Sequence, residues 1–297
     1  DALPIYSQSG PLKASSIPKK HPLVEAFTKA ANALGVPTTD DFNNLTQEGV
    51  GYYQLTTHKG FRCSTAVAYL KPAKHRSNLT ILTDSQVSKV IFENKKAVGI
   101  EFIQQGIKKT IRSNKEVILS AGSIGSPQIL QLSGVGPGGL LQQHGVEVLH
   151  DAPGVGANLQ DHLQIRSVFK VAGVKTLNTQ ANSLWGKAMI GLEYAFKRTG
   201  PMSMAPSQLG AFTRSDPAQP YPNIEYHVQP LSLDAFGEPL HSFPAFTASV
   251  CNLNPTSRGT VNITSANFAD APKIAPNYLS TEADRKVAAD SLRVTRR

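Results

Sequence analysis

Residues 116–136 hold the densest arrangement of residue types that could do chemistry. Val117, Ile118 and Leu119 form an apolar run, as in a strand buried on both faces, and Ala121 and Gly122 end it with small side chains. Ser126 and Pro127 read as an N-cap followed by proline at the first helical position. Ile129, Leu130 and Leu132 give that helix an apolar side, and Gly134 and Gly136 stop it. A strand, a small-residue turn and a helix N-terminus present backbone N–H groups to an anion, which suits a phosphate or a nucleotide. Tight strand–helix packing without a ligand explains the same residues, so both readings stay open here. Ser126 is expected to cap the helix rather than to touch a ligand.

A second stretch, Pro153-Gly154-Val155-Gly156-Ala157-Asn158-Leu159-Gln160-Asp161-His162, ends in polar residues, with Gln164 just beyond. No Gly-x-Gly-x-x-Gly follows a strand and opens a helix; Gly134, Gly136, Gly138 and Gly139 have the wrong spacing and follow a helix. Cys63 and Cys251 form neither a disulfide framework nor a metal pattern, and both are expected to be buried small hydrophobes, so no metal ligand is assigned and reducing surroundings are expected.

The elements that must position these residues follow from periodicity. Residues 1–20 are rich in Pro, Ser and Lys and read as loop. Leu23, Phe27, Ala30 and Leu34 recur at helical spacing, with Gly35 as the stop, which predicts a helix over 21–34. Residues 40–51 read as polar loop, 62–70 as a short helix before Pro72, and 78–83 as a strand. Residues 87–92, 97–103 and 108–112, separated by two turns, predict an antiparallel meander that returns into the strand at Glu116. Residues 140–144 read as a helix stopped by Gly145, 146–149 as a strand, and 184–196 as a helix. Residues 223–228, 246–252 and 260–264 read as strands of a second sheet, and Thr281 with Asp284 as a capping box opening a last helix.

Composition bounds the class. The 297 residues allow about two domains. With 40% apolar and 17% charged residues the composition is that of a globular protein. No apolar run approaches the roughly 20 residues that span a bilayer. The net charge of +9 comes from scattered Lys and Arg pairs without interleaved aromatic residues, which argues against a nucleic-acid partner. The sequons at Asn44, Asn78 and Asn262 read as chance matches. A cytoplasmic location is expected, with peripheral membrane association left open; the chain opens without Met, so no targeting segment is readable.

Taken as strings, Gly122 or Ser123, Ser126-Pro127, Ile129-Leu130 and Ser133-Gly134-Val135-Gly136 resemble the second signature of the glucose-methanol-choline (GMC) family of FAD-dependent oxidoreductases, a family that includes bacterial alcohol and choline dehydrogenases. The resemblance runs from about Gly49 to the end. It implies a mixed α/β fold in which an FAD-binding domain is interleaved with a substrate domain built on an antiparallel sheet with helices. Residues 1–59 would be a cap and substrate-domain segment, 60–160 the middle FAD-binding segment, 161–290 the substrate-binding domain and 291–297 the start of a further part.

The resemblance implies FAD as cofactor and oxidation of a primary alcohol to an aldehyde. A strand at Val87 would offer its backbone to the adenine, and Ala121 and Gly122, with Ser126 close by, would lie against the cofactor. Small side chains there let the backbone approach it. His162, Gln164 and Asn254 would face the substrate, with Asn158 and Asp161 in the loop between domains. The catalytic His and its His or Asn partner are expected beyond Arg297, so the chain alone is expected to be inactive and no catalytic residue is assigned. Choline-oxidising members carry Glu where this chain has Gln164, and some carry His at Asn254. Two neutral amides there predict an uncharged alcohol. The electron acceptor, oxygen or a quinone-type molecule, stays open. A truncated product without flavin and an FAD-bearing lyase are the rival readings.

Overall fold

The computed structural model describes residues 10–17, 20–235 and 237–297. Most of the stretch 1–20 that reads as loop lies outside them. The chain forms two compact units: one made of Asp1–Leu79, His162–Asn254 and Lys286–Arg297, the other of Thr80–Asp161 and Pro255–Arg285. The expected segment boundaries at 59/60 and 160/161 compare with unit boundaries at 79/80 and 161/162.

The first unit opens with helix α1, Pro22–Ala33. Proline at its first position costs no hydrogen bond, His21 Nδ1 accepts the Leu23 N–H at 3.3 Å, and Gly35 (φ +86°) ends it in the left-handed region. Strand β1, Gly49–Tyr52, follows, then the paired two-residue strands β2, Thr57–His58, and β3, Phe61–Arg62. A π-helical turn over Ala66–Leu70 runs into the short helix α2, Lys71–Ala73, so Pro72 sits inside the helical stretch instead of ending it.

The later part of this unit supplies β9, Gln164–Lys170; α5, Leu177–Ala181; α6, Leu184–Lys197; β10, Leu209–Thr213; β11, Ile224–Gln229; and β12, Ala245–Asn252. The strands form one antiparallel sheet in the order β1-β10-β11-β12-β9. One face packs Val50, Leu209, Ala211, Ile224, Tyr226, Val228, Ala248 and Val250 against Val24 and Ala31 of α1. Side chains alternate along a strand, so the other face carries the intervening residues.

The second unit begins with the meander β4, Ser85–Glu93; β5, Lys96–Gln104; and β6, Ile107–Arg112. Its turns lie at Asn94-Lys95 and Gln105-Gly106, all with positive φ. Then come α3, Gly122–Leu132; β7, Val135–Gly136; α4, Gly138–Gln143; β8, His150–Asp151; β13, Thr260–Asn262; and β14, Lys273–Ala275. The last helix, α7, runs over Glu282–Arg296.

Several sequence expectations are corrected. Residues 78–83, 116–119 and 146–149 form no strands, because a sheet is made by partner hydrogen bonds and no strand pairs with them among the described residues. The end of the expected loop 40–51 is strand β1. Strand β10 was not expected: all five of its residues are buried, so it has no polar alternation to reveal it. The strand expected over 260–264 pairs with β14 in the second unit and not with the large sheet. Gly136 lies in β7 and stops no helix. At the expected capping box, the Asp284 N–H donates to Thr281 Oγ1 at 3.2 Å.

Two buried polar side chains lock the second unit. Gln131 of α3 is fully buried and donates Nε2 to the carbonyls of Val155 (3.1 Å) and Val261 (3.0 Å), while its Oε1 accepts the Ile263 N–H at 2.8 Å. Gly156 has φ +83°, and a Cβ there would lie 2.1 Å from the Val261 oxygen, so only glycine fits beside this clamp. Asp284 accepts the N–H groups of Thr256 and Ser257, each at 2.8 Å, and the hydroxyls of both residues. Burial pushes its pKa up, but these hydrogen bonds outweigh it and hold the carboxyl at about 2.

Candidate functional site

The chemistry-bearing residues fall into two groups, one in each unit. In the second unit, helix α3 begins five residues earlier than its Ser-Pro pair suggests. Ala121 is the N-cap and offers no side chain to the free N–H groups, Gly122 is the first helical residue, and Pro127 sits inside the helix. Ser126 is therefore not the N-cap. Its Oγ reaches back to accept the Ala121 N–H at 3.1 Å. Gly122 has φ +79°, and no atom lies within 4 Å of a Cβ built on it. An 11-residue helix with an uncapped, exposed N-terminus and open space beside its first glycine is a fitting seat for an anionic or negatively polarised group. Val87 is the third residue of β4 and not its opening; it pairs with Phe102 just before a register shift.

In the first unit, the polar face of the sheet collects the other group. Glu225 pairs with Cys251, and Cys251 pairs with Gln164, so these three form one cross-strand row over β11, β12 and β9. The next row along the same face is His227, Ser249 and Arg166. His162 lies two residues before Gln164, and its Nε2 is 3.1 Å from the Leu253 carbonyl oxygen. Asn254 is exposed in the bend after β12, its N–H donating to Asn252 Oδ1 at 3.0 Å.

Glu225 is the hub of this face. Tyr53 donates its hydroxyl to Glu225 Oε1 at 2.7 Å and stacks on His227 with ring centroids 5.4 Å apart. His227 Nε2 lies 3.4 Å from the same Glu225 oxygen. Burial, and then the charge and hydrogen bond of Glu225, push the Tyr53 phenol well above its usual range, so it stays a donor. The Tyr53 ring lies over Gly210, where a Cβ would come within 2.5 Å of its Cζ. Ser249 Oγ and Gln229 Oε1 are buried without a hydrogen-bond partner among the described residues. Buried acceptors of that kind mark places where water or a polar ligand completes the network.

Sequence reasoning placed His162, Gln164 and Asn254, and the sheet register adds Glu225 and Cys251 to Gln164. It did not single out Tyr53, Glu225 or His227, and Cys251 is buried as expected while also facing this row. The available signal was the alternation Ile224-Glu225-Tyr226-His227-Val228-Gln229, whose polar members all fall on one face. Asn158 has φ +59°, and Asp161 accepts the hydroxyl of Tyr278. That hydrogen bond, with some burial, raises the Tyr278 phenol to about 12.

Comparison with known proteins adds four findings. Residues 3–164 match the GMC oxidoreductase family. The chain is similar to an oxygen-dependent choline dehydrogenase of Photobacterium profundum (41% identical, over 93% of this chain and 48% of that protein). It is similar to an alcohol dehydrogenase [acceptor] of Pseudomonas putida (37% identical, over 98% of this chain and 53% of that protein). The chain thus spans about half the length of the curated relatives it matches. Among solved structures it resembles pyridoxine 4-oxidase from Mesorbium loti, with TM-score 0.83 and 29% identity over 98% of this chain and 54% of that one. No helix among the described residues is long and apolar enough to cross a membrane.

Proposed function

The chain belongs to the GMC oxidoreductase family, and from that premise we propose that it forms part of an FAD-dependent enzyme that oxidises a primary alcohol to an aldehyde. The observation that carries this reading is the polar face of the large sheet, where Gln164, Cys251 and Glu225 stand in register with His162 beside them. FAD, when bound, supplies the acceptor for the hydride that leaves the alcohol carbon. The first unit takes the substrate role. Its amides, imidazole and unspent buried acceptors can hydrogen-bond a hydroxyl and orient it.

The second unit takes the cofactor role. Ala121, Gly122 and the free N–H groups of α3 would hold an electron-rich part of FAD, with Ser126 keeping the turn closed from inside the helix. Val87 would lie in the edge strand of the meander, whose outer backbone groups can meet a planar ring.

Gln164 and Asn254 are neutral, and one Glu225 oxygen already accepts the Tyr53 hydroxyl, so an uncharged alcohol is the first reading. A quaternary ammonium alcohol is the second, favoured by a carboxylate standing on the same face. The test is anaerobic addition of primary alcohols to the intact enzyme. Bleaching of the visible flavin bands with release of aldehyde is the expected result. A flavin that stays oxidised with every primary alcohol, or a protein that carries no flavin, overturns the reading.

A further inference from the structure

The row on the polar face brings together three donor types that lie far apart in sequence. One ligating atom from each of His162, Glu225 and Cys251 lies within 4.8 Å of the others. We propose that these three side chains form a binding site for a single thiophilic divalent cation of the zinc type.

The donor set is the argument's first support. Thiolate, imidazole and carboxylate together are the ligands that select zinc and its neighbours over calcium or magnesium, which take oxygen donors alone. A thiolate and a carboxylate also neutralise a divalent charge, which a half-buried site requires.

Geometry is the second. Glu225 and Cys251 are held as register partners on β11 and β12, with Cys251 Sγ 4.0 Å from Glu225 Oε2. Zinc at about 2.0–2.3 Å from each donor needs the donors somewhat closer than this. A turn of the Glu225 carboxylate toward Cys251 supplies that adjustment, and His162, which is exposed, precedes β9 and makes one ring hydrogen bond among the described residues, can close on the pair.

The surrounding hydrogen bonds are the third. Tyr53 and His227 both face Glu225 Oε1, which leaves Oε2, the oxygen nearest Cys251, for the ion. A His162 ring whose Nε2 donates to the Leu253 carbonyl keeps Nδ1 as a bare donor. A phenol on the carboxylate and a backbone carbonyl on the imidazole are the partners that orient ligands around bound metals. With three protein ligands and an exposed histidine, a fourth position stays open to water. The proposal uses only this chain's residues and does not depend on the alcohol-oxidation reading.

The test is titration of the full-length protein with Co²⁺, read as a difference spectrum against the metal-free sample. One equivalent should bind, with a thiolate-to-cobalt charge-transfer band and the intense visible bands of a tetrahedral ion. Cys251→Ser should abolish the charge-transfer band. His162→Ala, at an exposed position that leaves folding intact, should weaken binding by at least about tenfold, a loss that changes to surrounding partners alone already reach. Cys63→Ser, which removes the other thiol, should change neither. Absence of the charge-transfer band in the parent protein overturns the proposal. So does a band that survives in Cys251→Ser, one that disappears in Cys63→Ser, or an affinity unchanged in His162→Ala.

Discussion

Tyr53 and Glu225, 172 residues apart in the chain, share a hydrogen bond of 2.7 Å on the polar face of the sheet. Tyr53 follows directly on the edge strand β1, and Glu225 sits on the central strand β11, so this bond reaches across β10. Tyr53→Phe leaves the half-buried carboxylate without its donor and should lower unfolding free energy by about 1–3 kcal/mol. Gly210→Ala pushes a methyl into the Tyr53 ring and should cost a similar amount by displacing the same hydroxyl. Urea denaturation of both single variants and the double variant checks this. The double variant should cost clearly less than the two together, since both break one interaction.

Gln131 should be among the most sensitive positions of the second unit. Gln131→Met keeps the shape of the side chain but strands the Val155 and Val261 carbonyls and the Ile263 N–H. Each unsatisfied buried group costs about 1–3 kcal/mol, so a loss of at least about 3 kcal/mol is expected. Thermal or urea unfolding measures it, and a loss under about 1 kcal/mol would show that water replaces the amide.

Asp284 predicts a pH dependence with a definite sign. Its folded pKa of about 2 lies below the ordinary aspartate value of ~3.9. Its contribution is therefore complete above ~pH 4 and is lost as pH falls through ~2, worth about 2–3 kcal/mol. Asp284→Asn should lose that amount at neutral pH, and its acid limb should be flatter than that of the parent protein. Urea midpoints measured from ~pH 2 to 7 test both expectations.

Cofactor approach at the start of α3 is better tested at Ala121 than at Gly122. With φ +79°, Gly122 would be strained by any side chain, so loss of flavin in Gly122→Val would mix strain with occlusion. Ala121 has φ −85° and accepts any L residue. Ala121→Val in the intact enzyme should lower flavin per protein several-fold while leaving the unfolding free energy within about 0.5 kcal/mol of the parent. Unchanged flavin content would remove Ala121 from the cofactor contact.

Substrate charge is tested by comparing choline with 3,3-dimethylbutan-1-ol, which has the same shape without the cation. The intact enzyme should show the higher kcat/KM for the neutral alcohol. Gln164→Glu should move the ratio toward choline by about tenfold, the effect of about 1.4 kcal/mol of charge attraction. A parent enzyme that prefers choline points instead to Glu225 as the anionic partner, and Glu225→Gln should then abolish that preference.

What the sequence by itself determined are the features written in neighbouring residues. Helix α1 is announced by Pro22, Gly35 and the spacing of Leu23, Phe27 and Ala30, and the meander by its alternation and its Asn-Lys and Gln-Gly turns. The strings around Ser126-Pro127 and Asp161-His162 were enough to indicate the family. Tertiary structure alone decided which strands exist as pairs: the apolar run at Val117 reads like a strand but has no partner strand among the described residues, while the uniformly buried β10 has two. It alone brought Tyr53, Glu225, Cys251 and His162 to one face and turned Gln131 and Asp284 into clamps. The physical reason is range. Turn chemistry and periodicity act over a few residues, whereas register and buried hydrogen bonds join segments up to about 170 residues apart and depend on which strand lies beside which.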